Sequence, residues 1–195
     1  MDPLVPLSYS SYLANTTNHL SLIWAIVLLL LGSAFFSAFE TALTCCNRVR
    51  MKVKAEEGKK SAKLTLKILN RYDQSLISLL IGNNIVNIVS SSLATLIALS
   101  LISDEGVGTI VSTIIMTIVV FMFGETIPKN IAKANADKLA QILSYPFALI
   151  YVITYPIMQI FNFILWIFKK IFRIKENGNT LTEDEFKDII VYGEE

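Results

Sequence analysis

Four long apolar runs dominate the chain. Leu20 to Leu43 holds one ionisable residue, Glu40, in 24 positions, and Leu76 to Ile102 holds none in 27. Both exceed the roughly 20 helical residues that cross a bilayer. A third run begins at Thr109 and stays apolar only to Phe123, about 22 Å of helix, so Gly124 and Glu125 must be carried inward to complete a crossing. The fourth, Leu139 to Phe168, has no charge in 30 residues but contains Pro146 and Pro156, each expected to kink or break a helix. The pattern predicts an all-α membrane protein with three transmembrane helices, 20–43, 76–102 and 109–128. Juxtamembrane segments are expected at 46–72 and 139–172.

Charge orients these spans. Residues 1–19 contain no Lys or Arg, residues 44–75 contain nine, and residues 103–108 contain none, which places the N-terminus outside. Three crossings then put Lys129, Lys133 and Lys138 in the cytoplasm, yet Lys169, Lys170, Arg173 and Lys175 beyond the fourth run are equally basic. Both ends of that run read as cytoplasmic. It is therefore expected to be Pro-broken and to re-enter or lie along the inner leaflet, with a true fourth crossing as the alternative. The basic block Arg48 to Arg71 reads as an amphipathic helix with Val49, Val53, Leu64, Leu66, Ile68 and Leu69 toward the membrane.

The first 19 residues lack the basic opening of a cleaved signal peptide, so the first span is expected to stay as an anchor. Beyond the membrane segments Asn177, Gly178 and Asn179 form a turn, and Thr182 to Glu185 has capping-box spacing. Residues 1–175 thus read as a transmembrane domain, and 176–195 as the start of a cytoplasmic region cut short.

Composition narrows the function. Of 195 residues, 53% are hydrophobic and 17% charged, which excludes an ordinary soluble enzyme. A net charge of +1 offers no basic field for nucleic acid. Adjacent Cys45 and Cys46 form no disulfide or zinc pattern and read as reduced thiols. One histidine, His19, leaves a His-centred triad nothing to work with, so no enzyme activity is expected.

Polar groups inside hydrocarbon are costly enough to be candidate functional groups. Ser33, Ser37 and Glu40 (or Thr41) follow one face of the first span, and Asn83, Asn87, Ser90 and Ser91 one face of the second. In Gly124-Glu125-Thr126-Ile127-Pro128-Lys129, Pro128 has no N–H for the carbonyl of Gly124, which frees an oxygen beside a carboxylate. Helix packing, interhelical hydrogen bonds and a snorkelling Glu are the competing explanations. Counted inward from the basic ends, Ser37 and Asn83 lie about 10 Å deep and Glu125 about 6 Å, so the three clusters can meet. Hydroxyl, amide, carbonyl and carboxylate oxygens without imidazole or thiolate suit Mg²⁺, Ca²⁺ or Na⁺ rather than zinc, copper or iron.

At these residues the chain resembles the membrane domain of the CorC and cyclin M (CNNM) magnesium transporters. The matching stretches are Phe-Phe-Ser-Ala-Phe-Glu-Thr-Ala-Leu (35–43), Gly-Asn-Asn-Ile-Val-Asn (82–87) and Gly-Glu-Thr-Ile-Pro-Lys (124–129). The resemblance implies a homodimer of three-span subunits in the plasma membrane, with the N-terminus outside and a belt of juxtamembrane helices. It implies an inward-facing, dehydrated Mg²⁺ site lined by Ser37, Asn83, Asn87, the Gly124 carbonyl and Glu125. Glu40 would tune charge there or bind a coupling cation. Relatives continue into CBS modules that bind ATP with Mg²⁺, and Leu181 to Glu195 resembles the connector before them. The expected function is export of cytoplasmic Mg²⁺, with Na⁺ exchange and a passive route both open. The alternative is a Mg²⁺-sensing scaffold that regulates other transporters.

Overall fold

The computed structural model describes residues 7–171, which are helical apart from short turns. The expected turn at Asn177, the helix opening at Thr182 and the basic residues Arg173 and Lys175 lie outside them. Two compact units divide the chain after Met158; in the second, the described residues 159–171 are helical.

Helix α1 (Leu7–Cys45) and helix α4 (Tyr72–Leu101) pair antiparallel. Small residues let them approach: Gly32 faces Val86, and a Cβ on Gly82 would lie 2.4 Å from the Phe36 ring. Helix α5 (Glu105–Val119) opens on the Asp104 carboxylate, which accepts the Val107 N–H at 2.9 Å. It runs through a π-helical turn (Val120–Thr126) into α6 (Ile127–Ala134). These helices cover nearly all of the stretches expected as spans, and each has the length and composition to cross a membrane. A fourth stretch, Ala136–Ile160, also has the length and composition to cross a membrane, so the chain is a multi-pass membrane protein by that measure.

The basic block forms two helices rather than one, α2 (Arg48–Glu56) and α3 (Lys60–Leu69). Gly58 between them has φ +93°, a left-handed conformation that glycine enters without a Cβ clash. The break re-aims the apolar face. Val49 and Val53 are exposed, but Ile68 and Leu69, also expected toward the membrane, are buried in the protein core.

Helix α7 (Ala136–Ile171) is continuous through Pro146 and Pro156, contrary to the expected break. Each proline removes one N–H from a ladder that is otherwise intact, a loss an apolar helix tolerates. Its contacts up to Met158 reveal its course. Asp137 accepts the Asn47 N–H, Phe147 packs on Phe39 with ring centroids 4.9 Å apart, and Thr154 bonds Ser78 at 2.6 Å. Thr44 and Tyr72 hydroxyls, 2.9 Å apart, put the end of α1 level with the start of α4. Phe39 and Ser78 each lie only about 9 Å from that common end, whereas Asp137 to Thr154 is about 25 Å of helix. This part of α7 therefore lies across the basic end of the bundle and does not run parallel to the spans.

The core gathers at the same end. Phe36, Phe39, Leu43, Leu69, Leu79 and Phe147 are buried together, closed by Ala132 and Ala140. Toward the other end the spans expose Trp24, Leu28, Ile88, Leu96 and Ile110, as lipid-facing helices do. Phe147 is fully buried while Leu149 is 68% exposed. Phe147→Ala should lower unfolding stability in detergent by about 3 kcal/mol through the cavity it leaves, and Leu149→Ala by much less; thermal melts of the two variants check this.

Candidate functional site

Three helices meet at Ser33, which is fully buried. Its hydroxyl donates to Asn83 Oδ1 at 3.0 Å, joining α1 to α4. On the other side it presses on the π-helical turn: a Cβ on Gly124 would lie 2.7 Å from Ser33 Oγ, so only glycine admits this approach. Asn83 and Gly124 are thus brought together as the sequence led us to expect, but through a serine absent from the expected ligand set. Its signal was the one-turn spacing to Ser37; what distinguishes the two serines is their neighbours, which spacing does not show.

The other expected residues flank this contact. Counted from Cys45, Tyr72 and Ala134, Ser37 lies about 12 Å from the basic end, Glu125 about 13 Å, Ser33 and Asn83 about 17 Å, and Asn87 about 22 Å. Asn83 is deeper than the sequence suggested because α4 begins four residues earlier, at Tyr72. Ser37 Oγ, Asn87 Oδ1 and Ser90 Oγ are buried and have no hydrogen-bond partner. An orphaned buried oxygen is unfavourable by about 1–3 kcal/mol, so three on the faces that converge on one three-helix contact call for an explanation. Ser37 and Asn87 sit one turn to either side of the Ser33–Asn83 bond, about 10 Å apart along the bundle.

The π-helical turn supplies further oxygens. Ile127 N–H reaches the Met122 carbonyl five residues back, the wide spacing of a π turn. Pro128 has no N–H, so it can serve neither Phe123 at this spacing nor Gly124 at the ordinary one. Glu125 is half-buried beside Gly124. Glu40 is drawn away from the cluster: its carboxylate pairs with Lys129 of α6 at 3.4 Å. Lys129 stands one turn from Glu125, so Glu40 offsets the nearest fixed cation and leaves the Glu125 carboxylate less opposed.

Among the described residues no three of His, Cys, Asp and Glu converge. The available donors are neutral oxygens with one carboxylate, which fits a hard cation. Beyond the cluster, Asn84, Asn87, Ser91, Ser92 and Thr95 line a shallow open groove of about 370 Å³ along α4, and Thr95 bonds Ser112 of α5 at 3.1 Å. Cys45 is exposed; Cys46 is buried, and that burial, with Asp137 adding to it, pushes its thiol pKa up. His19 lies 3.4 Å from the Ser100 hydroxyl at the far end of the spans, remote from the cluster.

Comparison with known proteins matches residues 24–195 to the cyclin M transmembrane N-terminal domain. The chain is 34% identical over 161 residues to the UPF0053 inner membrane protein YfjD of Escherichia coli, covering 81% of this chain and 37% of that protein. It is 36% identical over 137 residues to a UPF0053 protein of Haemophilus influenzae, covering 70% of the chain and 32% of the relative. It is also 30% identical over 164 residues to a chloroplastic DUF21 domain-containing protein of Arabidopsis thaliana, covering 83% of the chain and 25% of the relative. The chain spans about a third of the length of the two bacterial relatives.

Removing the central contact should be measurable. Ser33→Ala leaves Asn83 Oδ1 without its donor and should lower stability by about 1 kcal/mol. Gly124→Ala forces Ser33 aside and should cost about 1–3 kcal/mol. Because both act on one contact, the double variant should fall short of the sum in thermal melts.

Proposed function

The chain belongs to the cyclin M transmembrane N-terminal domain family, and on that premise we propose that it moves Mg²⁺ across a membrane where α1, α4 and the π-helical turn meet. The observation that carries this reading is the set of buried, unpartnered oxygens, Ser37 Oγ and Asn87 Oδ1, flanking the Ser33–Asn83–Gly124 contact. As the two oxygens lie about 10 Å apart along the bundle, a cation passing between them would satisfy each in turn. Mg²⁺ releases its water reluctantly, so oxygens held in advance by three packed helices replace that shell at least reorganisation.

In this reading the basic end faces the cytoplasm of the plasma membrane and the N-terminus is outside. The ion arrives from the basic end and meets Ser37 and Glu125 first. It then exchanges water for Asn83, the Gly124 carbonyl and Asn87. Glu40 holds Lys129 and so lowers the electrostatic barrier at the mouth. Export follows from a site reached from the cytoplasmic side, with Na⁺ as the candidate counter-ion. The polar groove along α4 would be unfavourable against lipid and is covered, in this account, by a second copy of the chain. In the full-length protein, cytoplasmic CBS modules would follow.

Mg²⁺ flux into proteoliposomes tests the proposal. Wild type should transport, faster with an opposing Na⁺ gradient, and Glu125→Ala should reduce flux by about tenfold or more, because it removes the one charged ligand. Glu40→Gln should raise the Mg²⁺ concentration for half-maximal flux without abolishing it. Wild-type protein that is stabilised by Mg²⁺ but moves none would replace transport with the sensing scaffold. Flux unchanged in Glu125→Ala would remove the site.

A further inference from the structure

A second site lies away from the oxygen cluster, between α2 and the opening turns of α7. Here Arg50, Lys54, Ser61, Lys138, Gln141 and Tyr145 line a groove of about 560 Å³. Its walls are tied together. The Asn47 N–H and the Arg50 guanidinium both donate to Asp137, and the Ser61 hydroxyl donates to Gln141 Oε1 at 3.2 Å.

The charges in the groove do not cancel. Asp137 is committed to Arg50, whereas neither Lys54 nor Lys138 makes an ion pair among the described residues. Two ammonium groups therefore face one groove beside a neutralised pair. Next to them the surface turns apolar. Ile142, Tyr145 and Leu149 occupy successive turns of α7 on one face and are 52%, 53% and 68% exposed. As α7 lies across the end of the bundle, this apolar strip, which begins at the lysines, would run along the boundary where headgroups meet acyl chains in a bilayer crossed by α1 and α4.

A cationic pocket continuous with an apolar strip is complementary to one kind of ligand. We propose that the groove holds a single anionic phospholipid, its phosphodiester between Lys54 and Lys138 and the start of an acyl chain along Ile142, Tyr145 and Leu149. A soluble phosphate would use the lysines and leave the strip bare, so the strip is what favours the lipid. Bound there, the lipid joins α2 to α7 and strengthens the attachment of the belt. The site is independent of whether the chain transports an ion.

The test is native mass spectrometry with thermal melts of the detergent-purified chain titrated with phosphatidylglycerol, phosphatidylcholine or inorganic phosphate. One phosphatidylglycerol per chain should be retained and should raise the melting temperature, with phosphatidylcholine and inorganic phosphate doing neither. Lys54→Gln with Lys138→Gln should weaken retention about thirtyfold, given the usual contribution of a lysine near an anionic headgroup. Lys52→Gln with Lys63→Gln, the same charge change outside the groove, should leave retention within about threefold. If the double variant fails to fold, exposed Lys138→Gln alone should weaken retention about fivefold. Equal weakening by both pairs would mean diffuse attraction and overturn the site. Stabilisation by inorganic phosphate equal to that by phosphatidylglycerol would make it a soluble-anion site and overturn the lipid.

Discussion

Inside hydrocarbon a polar group finds a partner in the protein or remains unsatisfied, and this constraint shapes the whole chain. Its clearest expression is the hydrogen bond from Ser33 to Asn83, with Gly124 against the same serine. Three helices are held in register by one hydroxyl, one amide and one missing side chain. The bare Cα of Gly82 against the Phe36 ring fixes the α1–α4 approach a turn away. The oxygens left over, on Ser37, Asn87 and Ser90, are then held in place without partners.

The packing is uneven along the spans. Buried aromatic and aliphatic residues gather at the basic end, where α7 crosses the ends of α1 and α4. Thr65 bonds Ser144 at 2.8 Å there, and Asp137 fastens α7 to the start of α2. Farther along the spans, contact is made by small and polar side chains, such as Thr95 with Ser112. Such interfaces depend on a few weak hydrogen bonds and close backbone approach, so they can rearrange at modest energetic expense.

Much of this was legible in the chain. Span positions follow from summed hydropathy, and the three polar motifs stand out because hydrocarbon makes Asn83, Glu125 and their neighbours conspicuous. Features set by packing were not legible. Ser33 and Ser37 look alike in spacing, and only contact with Asn83 and Gly124 separates them. The π turn at Val120–Thr126 has no compositional mark beyond Pro128, whose missing N–H was read as freeing Gly124 alone. Gly58 stood inside the basic block, yet whether a glycine bends left-handed depends on what the flanking helices bury, here Ile68 and Leu69. Pro146 and Pro156 were read as breaks, but a proline removes one bond, and the surrounding apolar run continues the helix.

The proposed site stands or falls on whether the oxygens around the Ser33–Asn83–Gly124 contact hold a dehydrated divalent cation. A structure of the protein grown with Mg²⁺, sharp enough to show the ion, tests this most directly. The expected result is an ion with oxygen distances of about 2.1 Å among Ser37, Asn83, the Gly124 carbonyl and Glu125. An ion found only at Asp104 and Glu105 in the opposite loop, with Ser37 Oγ and Asn87 Oδ1 turned to protein partners, would contradict it.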